Sequence, residues 1–362
     1  MKEKLQKIIN ILAADTAPKQ LLIGFDGFID EIMHVVNTRL NSSDYKKINT
    51  ITEFAERIQS AAGLSANIEL MPQNIKIGGN GVIMANSLAM YGMNIDYIGA
   101  LGYPDINPLF SDFTRLCHRI VSVANPGHTQ ALEFADGKLM LGKIATVNNV
   151  TWDNLINVLG KQELEKMICS AQLIAFTNWT MLAGMDDIIR GFTNILKENA
   201  HYPLTFFDLA DPAKRYKEDV FIALELIKEL NTHTRVILGL NEKESQMIAN
   251  WLGIPECITL ERAAALQQFL DIDTILIHPL RGAAAANRKE MIWVDGHYTP
   301  TPVLTTGAGD NFNAGFCLGK LLGMTLEEAL LTGVYTSGYY VRKAQSPTRS
   351  QMLDWLKDKC GE

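Results

Sequence analysis

Residues 305–316 read TTGAGDNFNAGF, and the reading of this stretch decides how the rest of the chain is arranged. Gly307 and Gly309 open backbone conformations closed to other residues, and the apolar run that follows has helical spacing. The first amide N–H groups of a helix lack intrahelical partners, and the helix dipole is positive at that end. Such an end holds anions, phosphate among them. Asp310 stands at the mouth of this helix. Read alone, it serves equally as a helix cap or as a base taking a proton from a hydroxyl, a role worth ~10²–10⁴ in rate. A dinucleotide-binding reading fails here. The sixth position of GAGDNF is Phe312 rather than Gly, no strand–helix–strand unit follows, and Glu327 lies in a helical run rather than at a strand end.

Upstream, short apolar runs alternate with helical patterns. QLLIGF (20–25), IDYIGAL (95–101), QLIAF (172–176), LTFFD (204–208), RVILGL (235–240) and TILIH (274–278) are apolar on both faces, as strands of a covered parallel sheet are. Helical spacing recurs over 79–91, 184–198, 216–230, 242–251 and 260–269, and again over 309–323, 326–343 and 349–358. Leu5, Ile8, Ile9 and Leu12 mark an amphipathic N-terminal helix. This alternation predicts a three-layer α/β/α sandwich around a mostly parallel sheet. Two segments depart from it. Residues 119–147 carry hairpin chemistry around ADGK and predict a small β-lid. Residues 34–75 are polar and irregular apart from a helical pattern at 51–62, and are a second candidate for the lid. One domain over 1–362 is expected.

Composition narrows the function. Apolar residues make up 47% and charged residues 20%, as in a globular protein, and the net charge of −7 speaks against a nucleic-acid surface. The five cysteines form no CxxC pair, which predicts a reducing compartment, the cytoplasm, and no structural zinc. No apolar run reaches the ~18 residues of a membrane span, and the N-terminus lacks a signal-peptide apolar block.

Four further motifs carry chemistry. KIGGNGVIMANSLAMYG (76–92) places Gly78, Gly79 and Asn80 in a loop where backbone can approach a ligand, or simply turn tightly. GFDGFIDEI (24–32) puts Asp26 and Asp30 after the first strand, at the edge where open α/β sheets bind ligands. A carboxylate there can accept hydrogen bonds from sugar hydroxyls, although a turn and a cap explain both acids too. NEKE (241–244) spaces Asn241 and Glu244 as a capping box, or as a pair that holds metal-bound water. DLADPAKR (208–215) brings Lys214 and Arg215 toward the same edge.

In their order, these motifs resemble the ribokinase/PfkB carbohydrate kinase family over about residues 20–350. TTGAGDNFNAGF is similar to its C-terminal signature, GGNGVIMANSLAMYG to its glycine-glycine signature, NEKE to its Asn-x-x-Glu element and IDEI to its substrate-binding segment. The resemblance implies transfer of the γ-phosphate of ATP, with Mg²⁺, to a hydroxyl of a sugar or sugar-like molecule. It implies Asp310 as the base and Gly307, Ala308 and Gly309 as the anion hole. It places Asp30, Gly78 and Gly79 under the sugar, and Asp26 and Asn80, by their own positions in these motifs, are further candidates for substrate contact. Asn241 and Glu244 then lie near the phosphates and the metal, Glu244 through water, and Arg281 and Gly282 on the nucleotide side. Three positions depart from the pattern. Leu304 replaces an Asp of the monovalent-cation site, Ile83 replaces a substrate-binding Asn, and HPLRG replaces a glycine-containing loop. Potassium dependence, an ADP-dependent sugar kinase, a non-catalytic binding protein and a homodimer stay open on the sequence.

Overall fold

The computed structural model describes residues 1–14 and 17–361. In chain order the strands are β1 (Gln20–Gly24), β2 (Phe28–Arg39), β3 (Tyr45–Lys47), β4 (Leu70–Gly78), β5 (Asn94–Gly99), β6 (Arg119–Ser122) and β7 (Gly127–Phe134). They continue with β8 (Gly137–Lys143), β9 (Leu173–Phe176), β10 (Leu204–Asp208), β11 (Arg235–Asn241), β12 (Thr274–His278), β13 (Gly282–Asn287) and β14 (Met291–Asp295). Nine of them form one sheet in the order β14-β13-β12-β11-β10-β9-β1-β5-β6, parallel from β12 to β6 and antiparallel across β13 and β14.

The central strands are apolar on both faces because both faces are covered. Leu22, Ile174 and Phe207 enter one core, while their neighbours Leu21, Leu173 and Phe206 enter the other. Alternate residues of one strand thus stabilise opposite layers, which is what period-two geometry requires of a sandwich. The second core also takes up Leu5, Ile8, Ile9 and Leu12 of the N-terminal helix, and Phe312, Phe316 and Leu318 of the helix Ala308–Leu321. All parallel strands end at one edge, so the segments after β1, β10, β11 and β12 meet there.

A separate small sheet forms the lid, with β2 flanked by β3, β4 and β7 and with β8 beyond β7. Met33, Val35, Ile48, Leu132 and Phe134 close it against Phe54 of the helix Ile51–Ser60. The lid segment expected at 119–147 is therefore corrected at its start. Arg119–Ser122 pairs in parallel with β5 at the edge of the large sheet, and the lid begins at Gly127. Residues 34–75 do contribute to it, through β2, β3, the helix and β4. No helix among the described residues is long and apolar enough to cross a membrane.

Candidate active site

The turn before the helix Ala308–Leu321 is built around Gly307 at φ 88°. A Cβ there would strain the backbone and lie 2.9 Å from Tyr340 Oη, so only glycine fits without displacing its neighbours. The turn is held from behind. Tyr340 Oη donates to the Thr306 carbonyl at 2.8 Å, and Ser337 Oγ donates to the Ala308 carbonyl at 2.9 Å. The Ala308 amide donates to the Thr305 carbonyl at 3.1 Å. Among the described residues the amides of Gly307 and Gly309 have no acceptor, so those two are the donors left for an anion.

Asp310 lies in the first turn of this helix, 7% exposed. Its Oδ1 accepts from Asn80 Nδ2 at 3.0 Å. Burial, with the nearby carboxylates Asp208 and Asp26, pushes its pKa well above the usual carboxylate range, and the Asn80 bond opposes this. Asn80 opens the helix Asn80–Met90, and its own amide donates to Asp26 Oδ2 at 2.8 Å.

Asp26 does not face the cleft. It has no exposed surface, and it accepts from the amides of Asn80 and Gly81, from Asn178 Nδ2 and from Tyr97 Oη. Burial raises its pKa to about 6 in spite of those donors. The sequence expectation of a substrate contact is corrected to a structural anchor: Asp26 fixes the Gly79–Asn80 loop. Gly79 is required there, since a Cβ would meet Asp26 Oδ1 at 2.9 Å and φ is 108°. Asp30 lies on β2, paired with Gly-adjacent β4, and is 7% exposed. Its carboxylate occupies the space that a side chain on Gly78 would fill, 2.6 Å from that Cβ position.

Asn241 and Glu244 form a reciprocal capping box at the start of the helix Glu242–Trp251, with both bonds at 2.9 Å. The second Glu244 oxygen accepts the Asp211 amide at 2.8 Å. Beside it lies Asp208, which sequence reasoning passed over in favour of its basic neighbours. Burial, and after it Glu244, raises the Asp208 pKa to about 8. Burial likewise raises that of Glu244. The available signal was an acid ending a strand at the ligand-binding edge. Arg215, by contrast, donates to the carbonyls of Trp179, Thr180 and Leu182 and stacks on Trp179, so it braces loops and is not available to phosphate.

A cavity of about 480 Å³ adjoins the turn, lined among others by Asn241, Lys243, His278, Gly282, His297, Ala308, Gly309 and Phe312. Gly282, a residue expected on the nucleotide side, is among the lining residues. Arg281 is exposed and is not itself among the lining residues, but it stacks on Tyr298, which is, 4.6 Å from the ring centre. His278 and His297 also line the cavity, and burial lowers the pKa of each to about 4, which keeps both rings neutral. Ile83, at the departing position, packs on the turn, its Cδ1 3.1 Å from the Cβ position of Gly307.

Comparison with known proteins follows this geometry. The sequence pattern of prokaryotic ketohexokinase matches residues 2–358. Ketohexokinase of Haloferax volcanii is 28% identical over 337 residues, spanning 92% of this chain and 89% of that protein. Arabidopsis thaliana ribokinase, solved complexed with ribose and ATP, aligns with a TM-score of 0.67 and 18% identity over 94% of this chain and 99% of that one. Ribokinase of Thermotoga maritima aligns with a TM-score of 0.65 and 17% identity over 94% and 100%. At these identities the two structures speak for the fold, a ribokinase-like sandwich with its lid.

Proposed function

Because this chain belongs to the prokaryotic ketohexokinase family, we propose that its acceptor is a ketohexose and that Asp310 is the base. The chain is an ATP-dependent sugar kinase, a phosphotransferase with an alcohol acceptor. The ADP-dependent and non-catalytic readings are not favoured by these relatives. One observation carries the assignment of the base: a buried carboxylate stands in the first turn of a helix whose preceding glycines leave two amides without acceptors.

Asp310 takes the proton of the acceptor hydroxyl as that oxygen attacks the terminal phosphorus in line, and the bond from that phosphorus to the bridging oxygen breaks to release ADP. The Gly307 and Gly309 amides and the helix dipole hold the phosphoryl oxygens as charge collects on them. Asn80 holds the base in place, and Asp26 holds Asn80. Asp30 accepts from sugar hydroxyls, with Gly78 leaving room for its carboxylate. Closure of the lid excludes water, since hydrolysis of ATP is the competing reaction.

Mg²⁺ fits the donor set at Asp208 and Glu244. Glu244 is buried and Asp208 half-buried, both have raised pKa values, and each is disfavoured as an anion until a cation compensates it. Glu244 already accepts two amide bonds, so it would hold the ion through water. Mg²⁺ keeps much of its hydration and is commonly held by one or two carboxylates with substrate phosphates, which these two residues can supply. When bound, the ion would shield the phosphate charge.

The five cysteines are free, which supports the cytoplasm as the compartment. A homodimer would use the lid, where Ile75, Met140 and Leu141 are exposed. Incubation with ATP and a panel of ketohexoses, aldohexoses and pentoses tests the substrate. Preferred phosphorylation of a ketohexose is expected, and a preference for aldoses or pentoses would refute the assignment.

A further inference from the structure

Lys243 is the one cationic side chain among the described residues that line the cavity beside the Gly307–Gly309 turn. Glu242 also lines it, while the buried Glu244 and Asp310 and the half-buried Asp208 lie nearby without lining it. Lys243 is therefore the lining side chain whose charge is opposite to that of a polyphosphate.

The structure also shows where Lys243 is held. Ala210 and Asp211 both have φ 57°, the left-handed region that side-chain-bearing residues rarely occupy. This double left-handed turn aims two successive amides at two carboxylates, the half-buried Asp208 and the buried Glu244. The Ala210 amide donates to Asp208 Oδ1 at 2.9 Å, and the Asp211 amide donates to Glu244 Oε1 at 2.8 Å. The Asp211 side chain is thereby fixed next to the helix Glu242–Trp251. Its carboxylate lies 3.8 Å from Lys243 Nζ and 3.4 Å from Lys214 Nζ. The Lys243 side chain is 80% exposed, so its ion pair is weak and easily exchanged. Lys214 shares the same carboxylate but does not line the cavity.

We infer that Lys243 is the cation that receives the polyphosphate of the nucleotide, and that Asp211 is the partner it leaves to do so. The inference rests on the reading of this cavity as the ATP site. Lys243 and the Gly309 amide belong to residues that line the same cavity, so a flexible charge and a fixed dipole are both available to the phosphates. Asp211 competes with the phosphates for this ammonium, and its weak ion pair is given up on binding.

The test compares ATP with adenosine, which enters the same cavity without phosphates. Lys243→Met should weaken ATP binding by roughly ten- to a hundredfold and leave adenosine unchanged, as loss of a charge-assisted contact does. Lys243→Arg should restore most of the affinity, and Lys214→Met should change it by less than about threefold. Asp211→Asn, which tolerates the left-handed backbone, should tighten ATP. An unchanged ratio of ATP to adenosine affinity in Lys243→Met would overturn the inference. Failure of the wild-type chain to phosphorylate a ketohexose, with that ratio still falling in Lys243→Met, would instead remove the functional reading and leave this one standing.

Discussion

Asn80 and Asp310, 230 residues apart in sequence, meet at 3.0 Å, with the Asn80 side-chain amide donating to the carboxylate. The Asn80 backbone is in turn tied to Asp26 at 2.8 Å. A fully buried acid thus anchors the residue that orients the base. Asn80→Ala should lower kcat by about ten- to a hundredfold and move the rising limb of the kcat–pH profile to higher pH. The direction follows because the bond stabilises the charged carboxylate, so its loss raises the pKa further. A kcat loss with an unmoved pH profile would show a merely structural role.

The Asp208 carboxyl has a pKa of about 8 in the folded chain against an ordinary 3.8. The folded state therefore keeps a proton that the unfolded state releases between those values. Stability contributed by that proton is present below the lower value and lost as pH rises through the higher one. Asp208→Asn should flatten the fall of Tm between pH 4 and 8 and raise Tm at pH 8 by at least about 2 °C in metal-free buffer. It should also weaken the response to Mg²⁺. Thermal melts across pH check both, and parallel curves for the two proteins would contradict the assignment.

Much of this was legible in the sequence for a simple reason. Strands buried on both faces are apolar throughout, and QLIAF and RVILGL can be little else in a chain of this length. Helix Leu326–Lys343 has the expected bounds because its capping box and amphipathic spacing agree. The edge hairpin of β13 and β14 was missed because GAAAAN has low intrinsic strand preference, and its alanines are selected by close packing between layers. The lid strand β2 was missed because its burial comes from a helix and strands distant in sequence. At the site, residue types were readable but directions were not. Asp26 and Asp30 look alike in GFDGFID, and only the fold turns one inward and the other to the lid.

Two glycines of the anion turn can be separated experimentally. Gly307→Ala forces a side chain into the left-handed region and against Tyr340, so Tm should fall by roughly 2–4 °C along with activity. Gly309→Ala places its Cβ 3.1 Å from His278 Cε1, tight but not backbone-strained. It should raise the KM for ATP by about tenfold with little change in Tm. Equal Tm losses in both variants would contradict this division.

Arg281 does not line the cavity, and its guanidinium is engaged by the ring of Tyr298. Arg281→Ala should therefore leave the KM for ATP within about twofold. Asp30→Asn should raise the KM for the sugar by about tenfold or more and leave that for ATP unchanged, since a desolvated acceptor is lost on the sugar side alone. Steady-state kinetics with each substrate varied in turn check both, and a rise in the ATP KM for either variant would count against the placement.

The central claim is that Asp310 is the base, and single-turnover phosphoryl transfer in Asp310→Asn tests it most directly. Asparagine keeps the shape and a partner for Asn80 but cannot take a proton. The account predicts a fall in the transfer rate of about 10²–10⁴-fold, with ATP and sugar binding retained. Transfer within about threefold of wild type in a folded, ligand-binding variant would contradict it.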